Sequence, residues 1–247
     1  MPSVATDPLL PLLELPGVAA AADSARDAVD ALRRHRVLRW RSTEVSAEAA
    51  LHGARASAAL DGADYPLAEV RTGAITDPVL QGALRASGAL GGLTATWRVA
   101  PMQVLARLHV LAAAGRAVEL GRPDTADSAR LTALAGVIIA PSGDVPAVVR
   151  AAVVHGELLA LAPFAIANGV VARAAARLTM VACGMDPKAL SVPEVGHLES
   201  GADYPSALAA YGTGSAGGVT RWLLHCCSAA ERGAQEGLAI CEAVLRG

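Results

Sequence analysis

An Asn-Gly pair at residues 168 and 169 opens an alanine-rich helical run over residues 170–182, and two arginines follow at Arg173 and Arg177. A helix start carries backbone N–H groups without intrahelical partners and the positive end of the helix dipole, so it suits a phosphate or carboxylate. Arg173 and Arg177 are four apart and share one helix face, where they would add charge-assisted contacts to anionic oxygens. Gly184 supplies the helix stop. The plainer reading is a tight turn between two buried helices, because Asn-Gly is a common turn signal.

No general base accompanies this anion-binding pattern at close spacing. His155 lies seven residues before Ala162, two turns along one predicted helix, and could approach the loop or serve as a core histidine bonded to backbone. Glu157 is two residues away from it and points elsewhere on a helix. His52, His109 and His225 stand singly in helical runs, with no H-E-x-x-H, and no metal site is expected. Cys183, Cys226, Cys227 and Cys241 form no C-x-x-C, and neighbours such as Cys226 and Cys227 diverge by about 100° on a helix, so they read as buried free thiols. Residues 212–217 satisfy G-x-G-x-x-G, but the alanine-rich stretch before them lacks the β-branched residues of the strand that a dinucleotide fingerprint requires. They read as an interhelical loop.

The stretch Ala162-Pro163-Phe164-Ala165-Ile166-Ala167-Asn168-Gly169-Val170-Val171-Ala172-Arg173 resembles the Fic (Fido) signature H-P-F-x-x-G-N-G-R-x-x-R. Members of that family usually transfer AMP from ATP to a protein hydroxyl. Pro163, Phe164, Asn168, Gly169 and Arg173 match, whereas Ala162 stands for the base histidine, Ala167 for the first glycine and Val170 for the first arginine. Ser57 to Gly62 resembles the family's inhibitory [ST]-x-x-x-E-[GN] segment, with Asp61 in place of the glutamate. That resemblance implies a pairing between Asp61 and Arg173. Tyr204-Pro205-Ser206-Ala207-Leu208 and Trp222-Leu223-Leu224-His225 are similar to helices after the family core, so the likeness spans residues 29–241.

The resemblance implies an all-α, multi-helix fold with N-terminal helices and little or no sheet. A base contributes ~10² to 10⁴-fold in such chemistry and oriented charge contributes still more, so losing both implies a pseudoenzyme, a binding or regulatory protein with a degenerate phosphate site. The site residues are then Asn168, Gly169, Arg173 and Arg177 for an anion, with Ser57, Asp61 and Gly62 as the inhibitory-like segment. ATP with Mg²⁺ would bind weakly. The alternative is a divergent nucleotidyl or phosphoryl transferase with His155 as base. A third reading is a helical structural subunit whose pocket is closed by Ala162, Ile166 and Val170. The family's β-hairpin flap, which holds target peptides, should fall at residues 120–141, where alanine and leucine dominate and alternation is absent.

The elements that must position these residues are helical throughout. The chain has 247 residues, enough for a large core, and is 53 % hydrophobic but 3 % aromatic, which calls for close packing of small aliphatic side chains. Prolines make residues 1–17 an extended arm whose leucines dock. Residues 18–90 form an N-terminal helical segment and residues 91–247 the core. A first helix is predicted over 19–38, ending in Arg33, Arg34, Arg36 and Arg39; this basic cluster suits the helix dipole as a solvated end, with an acidic partner as the other reading. Ser46 is predicted to cap the next helix, Asp77-Pro78 and Pro101 to open two more, residues 125–139 to form another, Asp144 and Pro146 to lead into the signature, and residues 219–245 to close the chain.

The formal net charge of −2 and the calculated pI near 6.3 offer no electrostatic case for nucleic acid. Arg150, His155, Glu157 and Arg173 interrupt the most apolar region below the ~18 residues a bilayer span needs. A cytoplasmic location is expected, with a protein partner of unidentified chemistry and a second copy of the chain as candidate partners.

Overall fold

Alanine and leucine carry the highest helix propensities, and here they repeat at helical spacing with few interior prolines. A computed structural model describes residues 7–116, 119–124, 126, 128–141 and 143–246. Among them are α1 (Val18–Arg33), α2 (Ser42–Leu60), α3 (Leu67–Arg71), α4 (Pro78–Trp97), α5 (Pro101–Ala113), α6 (Ser128–Ile139), α7 (Ala147–Leu161), α8 (Asn168–Ala182), α9 (Pro193–Glu199), α10 (Asp203–Gly212) and α11 (Ala216–Arg246), with 3₁₀ turns at Leu10–Glu14 and Arg36–Arg39. No strand occurs among the described residues.

The caps act where local chemistry places them. Asp77 accepts hydrogen bonds from the N–H groups of Val79 and Leu80 at 2.8 and 3.0 Å, and Pro78 and Pro101 occupy first-turn positions that need no donor. Gly184, at φ +80°, ends α8.

Three expectations need correction. The first helix stops at Arg33 rather than continuing to residue 38, because His35 is extended and its ring accepts the Val37 N–H, starting a separate turn that buries Val37 and Leu38. Ser46 lies inside α2, which begins at Ser42, and its hydroxyl donates to the Lys188 carbonyl at 2.8 Å. The arm is a 3₁₀ turn rather than an extended strand, with Leu9 in the core and Leu10, Leu12, Leu13 and Leu15 packed on it; residues 1–6 lie outside the described residues. The predicted start at Thr125 also lies outside them, and α6 begins at Ser128.

Two hydrophobic clusters share three helices. One holds α1, α11, the first half of α2 and the start of α7 around Trp222; the other holds α4, α5, α6, the second half of α2 and most of α8 around Trp97 and Phe164. Thus α2, α7 and α8 are central, and the 162–168 loop joins two of them. The predicted 18–90 and 91–247 segments meet within α4. With one phenylalanine in the chain, tight packing depends on missing side chains: a Cβ on Gly82 would overlap the Ala112 carbonyl between α4 and α5. Arg150, 1 % exposed, pairs with Asp7 and donates to the carbonyls of Val137 and Pro141, tying the arm and the end of α6 to α7. Cys226, Cys227 and Cys241 are buried free thiols and Cys183 is half-buried.

Candidate functional site

The loop between α7 and α8 is built by one side chain and two strained residues. Asn168 accepts the Phe164 N–H at 3.0 Å through Oδ1 and donates from Nδ2 to the Phe164 carbonyl at 2.6 Å, so its amide closes the turn. Ala162 (φ 45°, ψ 55°) and Ala167 (φ 61°, ψ 18°) are both left-handed, a conformation that costs an L-residue roughly 1 to 2 kcal/mol. Ala167 is the position at which the resembling signature carries glycine. Packing holds the strain in place. Phe164 stacks on the His109 ring at 4.1 Å and 8°, His109 Nδ1 accepts the Gly121 N–H at 2.9 Å, and Asp124 N–H donates to the Pro163 carbonyl at 2.8 Å.

The start of α8 already faces an anion. Gly62, at φ +92°, ends α2 in a Schellman turn, with Ala63 N–H on the Ala58 carbonyl and Gly62 N–H on the Ala59 carbonyl. That turn leaves Asp61 at the end of α2, beside α8. The Asp61 carboxylate accepts from Arg173 Nη2 at 2.7 Å, and it occupies the space that a Cβ on Gly169 would need. Ser57 completes the grip: its Oγ accepts from Arg173 Nε at 2.9 Å and its carbonyl from Nη2 at 2.8 Å. The Arg173 side chain is 3 % exposed and that of Asp61 25 %.

The Tyr204 hydroxyl, from α10, lies 2.9 Å from His155 Nε2 and shares a hydrogen bond with it. Burial works against the charge of Arg173, but Tyr204 and Asp61 outweigh it and hold its pKa above the ordinary value. Burial pushes the Tyr204 hydroxyl up to about 12, with Arg173 pulling the other way. His155 is 1 % exposed, and burial, then the positive Arg173, keeps its pKa well below the usual histidine range. Its partner is thus a phenol rather than backbone, and it lies inside the bundle against Trp222 and His197 rather than at the loop.

Arg177 is turned away from the loop. It approaches Glu194 at 3.7 Å, donates to the Ala189 carbonyl at 2.8 Å, and is 2 % exposed. Its Nε and Glu194 Oε2 have no hydrogen-bond partner among the described residues, and both residues line a cavity of about 30 Å³ with His155, Arg173 and His197, room for one water. His197, which bonds His225 through Nδ1 at 2.9 Å, and Glu194 both reach this cluster from α9 without a signal in the sequence, because no spacing within the chain marks such a meeting. Residues 212–217 join α10 to α11 with a helix, not a strand, before them. The region of the expected flap holds α6, and among the described residues no group of His, Cys, Asp or Glu could hold a metal and no helix is long and apolar enough to cross a membrane.

Chemically, the arrangement is a carboxylate paired with a buried arginine and seated against the first turn of α8.

No family model and no curated protein matches the sequence. Solved structures do match the fold. A Fic family protein from Desulfovibrio desulfuricans G20 superposes with a TM-score of 0.73 at 18 % identity, covering 91 % of this chain and 74 % of that one. Fic-1 from C. elegans gives 0.74 at 18 % identity over 95 % of this chain and 75 % of its own, and a variant of that protein gives 0.70. These likenesses, together with the helix order around the 162–168 loop, assign the chain the fold of the Fic proteins.

Proposed function

We propose that this protein is a Fic-fold pseudoenzyme, a binding or regulatory protein whose degenerate nucleotide-phosphate site is held shut by Asp61. The observation that carries the reading is the grip of Ser57 and Asp61 on Arg173, at 2.7 to 2.9 Å, in a chain with alanine at position 162. Adenylyl transfer needs a group to accept the hydroxyl proton, and Ala162 has none. Burial supports this reading over a transferase with His155 as base, because that ring is bonded to Tyr204 and only 1 % exposed to solvent. Helix α6 in place of a hairpin also removes the strand edge on which a target peptide would add.

The test is incubation of the full chain with labelled ATP and Mg²⁺ or Mn²⁺, alone and with a cell lysate. Neither the wild type nor Asp61→Ala should transfer label, while calorimetry should show ATP binding more tightly to Asp61→Ala than to the wild type. Transfer that disappears in His155→Ala would replace this reading with the transferase.

A further inference from the structure

The second concentration of cations lies at the other end of α8, about 22 Å away for a helix of this length. There Arg33 reaches the Met185 carbonyl, and a groove of about 470 Å³ opens between the end of α1, the Arg36–Arg39 turn and the 187–190 loop. Arg33, Arg34, Arg39 and Lys188 form its rim, and Leu38, Pro187 and Leu190 its floor.

The helix dipole accounts for Arg33 and Arg34 in and after the last turn of α1. It does not account for Lys188, the only lysine of the chain, which arrives from a loop more than 140 residues later. Nor does a generally basic surface, since the net charge is −2. Nearby carboxylates are already assigned: Asp30 pairs with Arg33 at 3.1 Å and Glu242 with His35 at 2.9 Å, and among the described residues Arg34, Arg39 and Lys188 have no such partner.

The loop presenting Lys188 is held rigidly. Asp186 accepts the Leu190 N–H at 3.0 Å and the Ser191 N–H and hydroxyl at 2.7 Å, Ser46 bonds the Lys188 carbonyl, and Arg177 bonds that of Ala189, which sits at φ +51°. A strained residue persists only where surrounding contacts over-determine it. Beside the groove, directly after Arg39, Trp40 is 64 % exposed, and exposed tryptophan next to arginine is characteristic of protein-binding surfaces.

We propose that this groove docks an acidic segment of a partner protein, its carboxylates meeting Arg34, Arg39 and Lys188 and an apolar side chain resting on Leu38, Pro187 and Leu190. A compact phosphate suits the groove less well, because α1 ends there in carbonyl oxygens rather than N–H donors, and an apolar floor adds nothing to phosphate binding. The site is independent of the chemistry at residue 162.

Fluorescence anisotropy of a labelled twelve-residue peptide alternating Glu with Leu and Ser, titrated with the full chain, tests the assignment. Binding should weaken with salt and fall about tenfold or more in Arg34→Glu/Arg39→Glu/Lys188→Glu, three exposed ion pairs acting together. The equal charge change Arg122→Glu/Arg221→Glu/Arg232→Glu should alter it little, and thermal unfolding of both triple variants should stay near wild type. A peptide with Gln for Glu should not bind, and inorganic phosphate should not displace the acidic one. Equal losses in the two triple variants, displacement by phosphate, preference for anionic vesicles, or no binding of the acidic peptide would each overturn the proposal.

Discussion

The two ends of α8 hold cations in opposite conditions. At its N-terminal end Arg173 is buried to 3 % exposure and gripped by Ser57 and Asp61; at its C-terminal end Arg34, Arg39 and Lys188 face solvent around an open groove without carboxylate partners among the described residues. What decides whether an arginine can take a ligand is therefore what the fold places beside it. A motif match reports the residue type, while burial and partners set its availability. The position within the motif is the occupied one here, and the cluster that reads as a mere helix end is the open one.

Stability should separate the two ends most sharply. Arg173→Ala removes the partner of a part-buried carboxylate and leaves Ser57 facing a hole, a loss of about 3 to 5 kcal/mol, whereas Arg34→Ala and Arg39→Ala should stay within about 0.5 kcal/mol. Urea unfolding measures all three, and similar small losses would erase the contrast.

Acid should act next, and on the closed end. Burial holds His155 and His197 well below the ordinary histidine value and His225 down to about 4. Unfolding returns all three to about 6.5, so the unfolded chain binds more protons below that value. Stability from keeping them neutral is complete above about pH 6.5 and is lost as pH falls toward 4 and, for the two deeper rings, beyond it. The urea midpoint should therefore fall steadily between pH 7 and pH 5, less steeply in His225→Gln, and an unchanged midpoint would show that the cluster is not buried neutral.

The finest test concerns Gly169. A methyl group there displaces the Asp61 carboxylate, so Gly169→Ala should destabilise the wild type; in an Asp61→Ala background the same change should stabilise by up to about 1 kcal/mol through helix propensity alone. One sign in both backgrounds would mean that Asp61 does not sit against Gly169.

Much of this was legible locally. Asp77, Pro78, Pro101 and Gly184 act on neighbours within one turn, so their spacing in the chain is their spacing in space. Asn168 and Gly169 mark the start of α8 for the same reason, and the likeness of 57–62 to an inhibitory segment pointed at the Asp61–Arg173 pair across 112 residues. The failures lie where a short-range signal competed with packing. Ser46 has the residue type of a cap, but its hydroxyl bonds Lys188, and Arg177 shares a face with Arg173 yet turns to Glu194 and Ala189.

By itself, then, the sequence determined an all-α chain, the breaks between most of its helices and the start of α8 at Asn168, because propensity, capping and side-chain identity are local. Only the tertiary structure decided that Arg173 is occupied and Arg177 diverted, that His155, His197, Tyr204 and Trp222 pack together, and that Lys188 joins Arg34 and Arg39 around one groove. Those outcomes depend on contacts between helices far apart in the chain, and their partners are selected by how small side chains let the helices approach, which no periodicity within a single helix encodes.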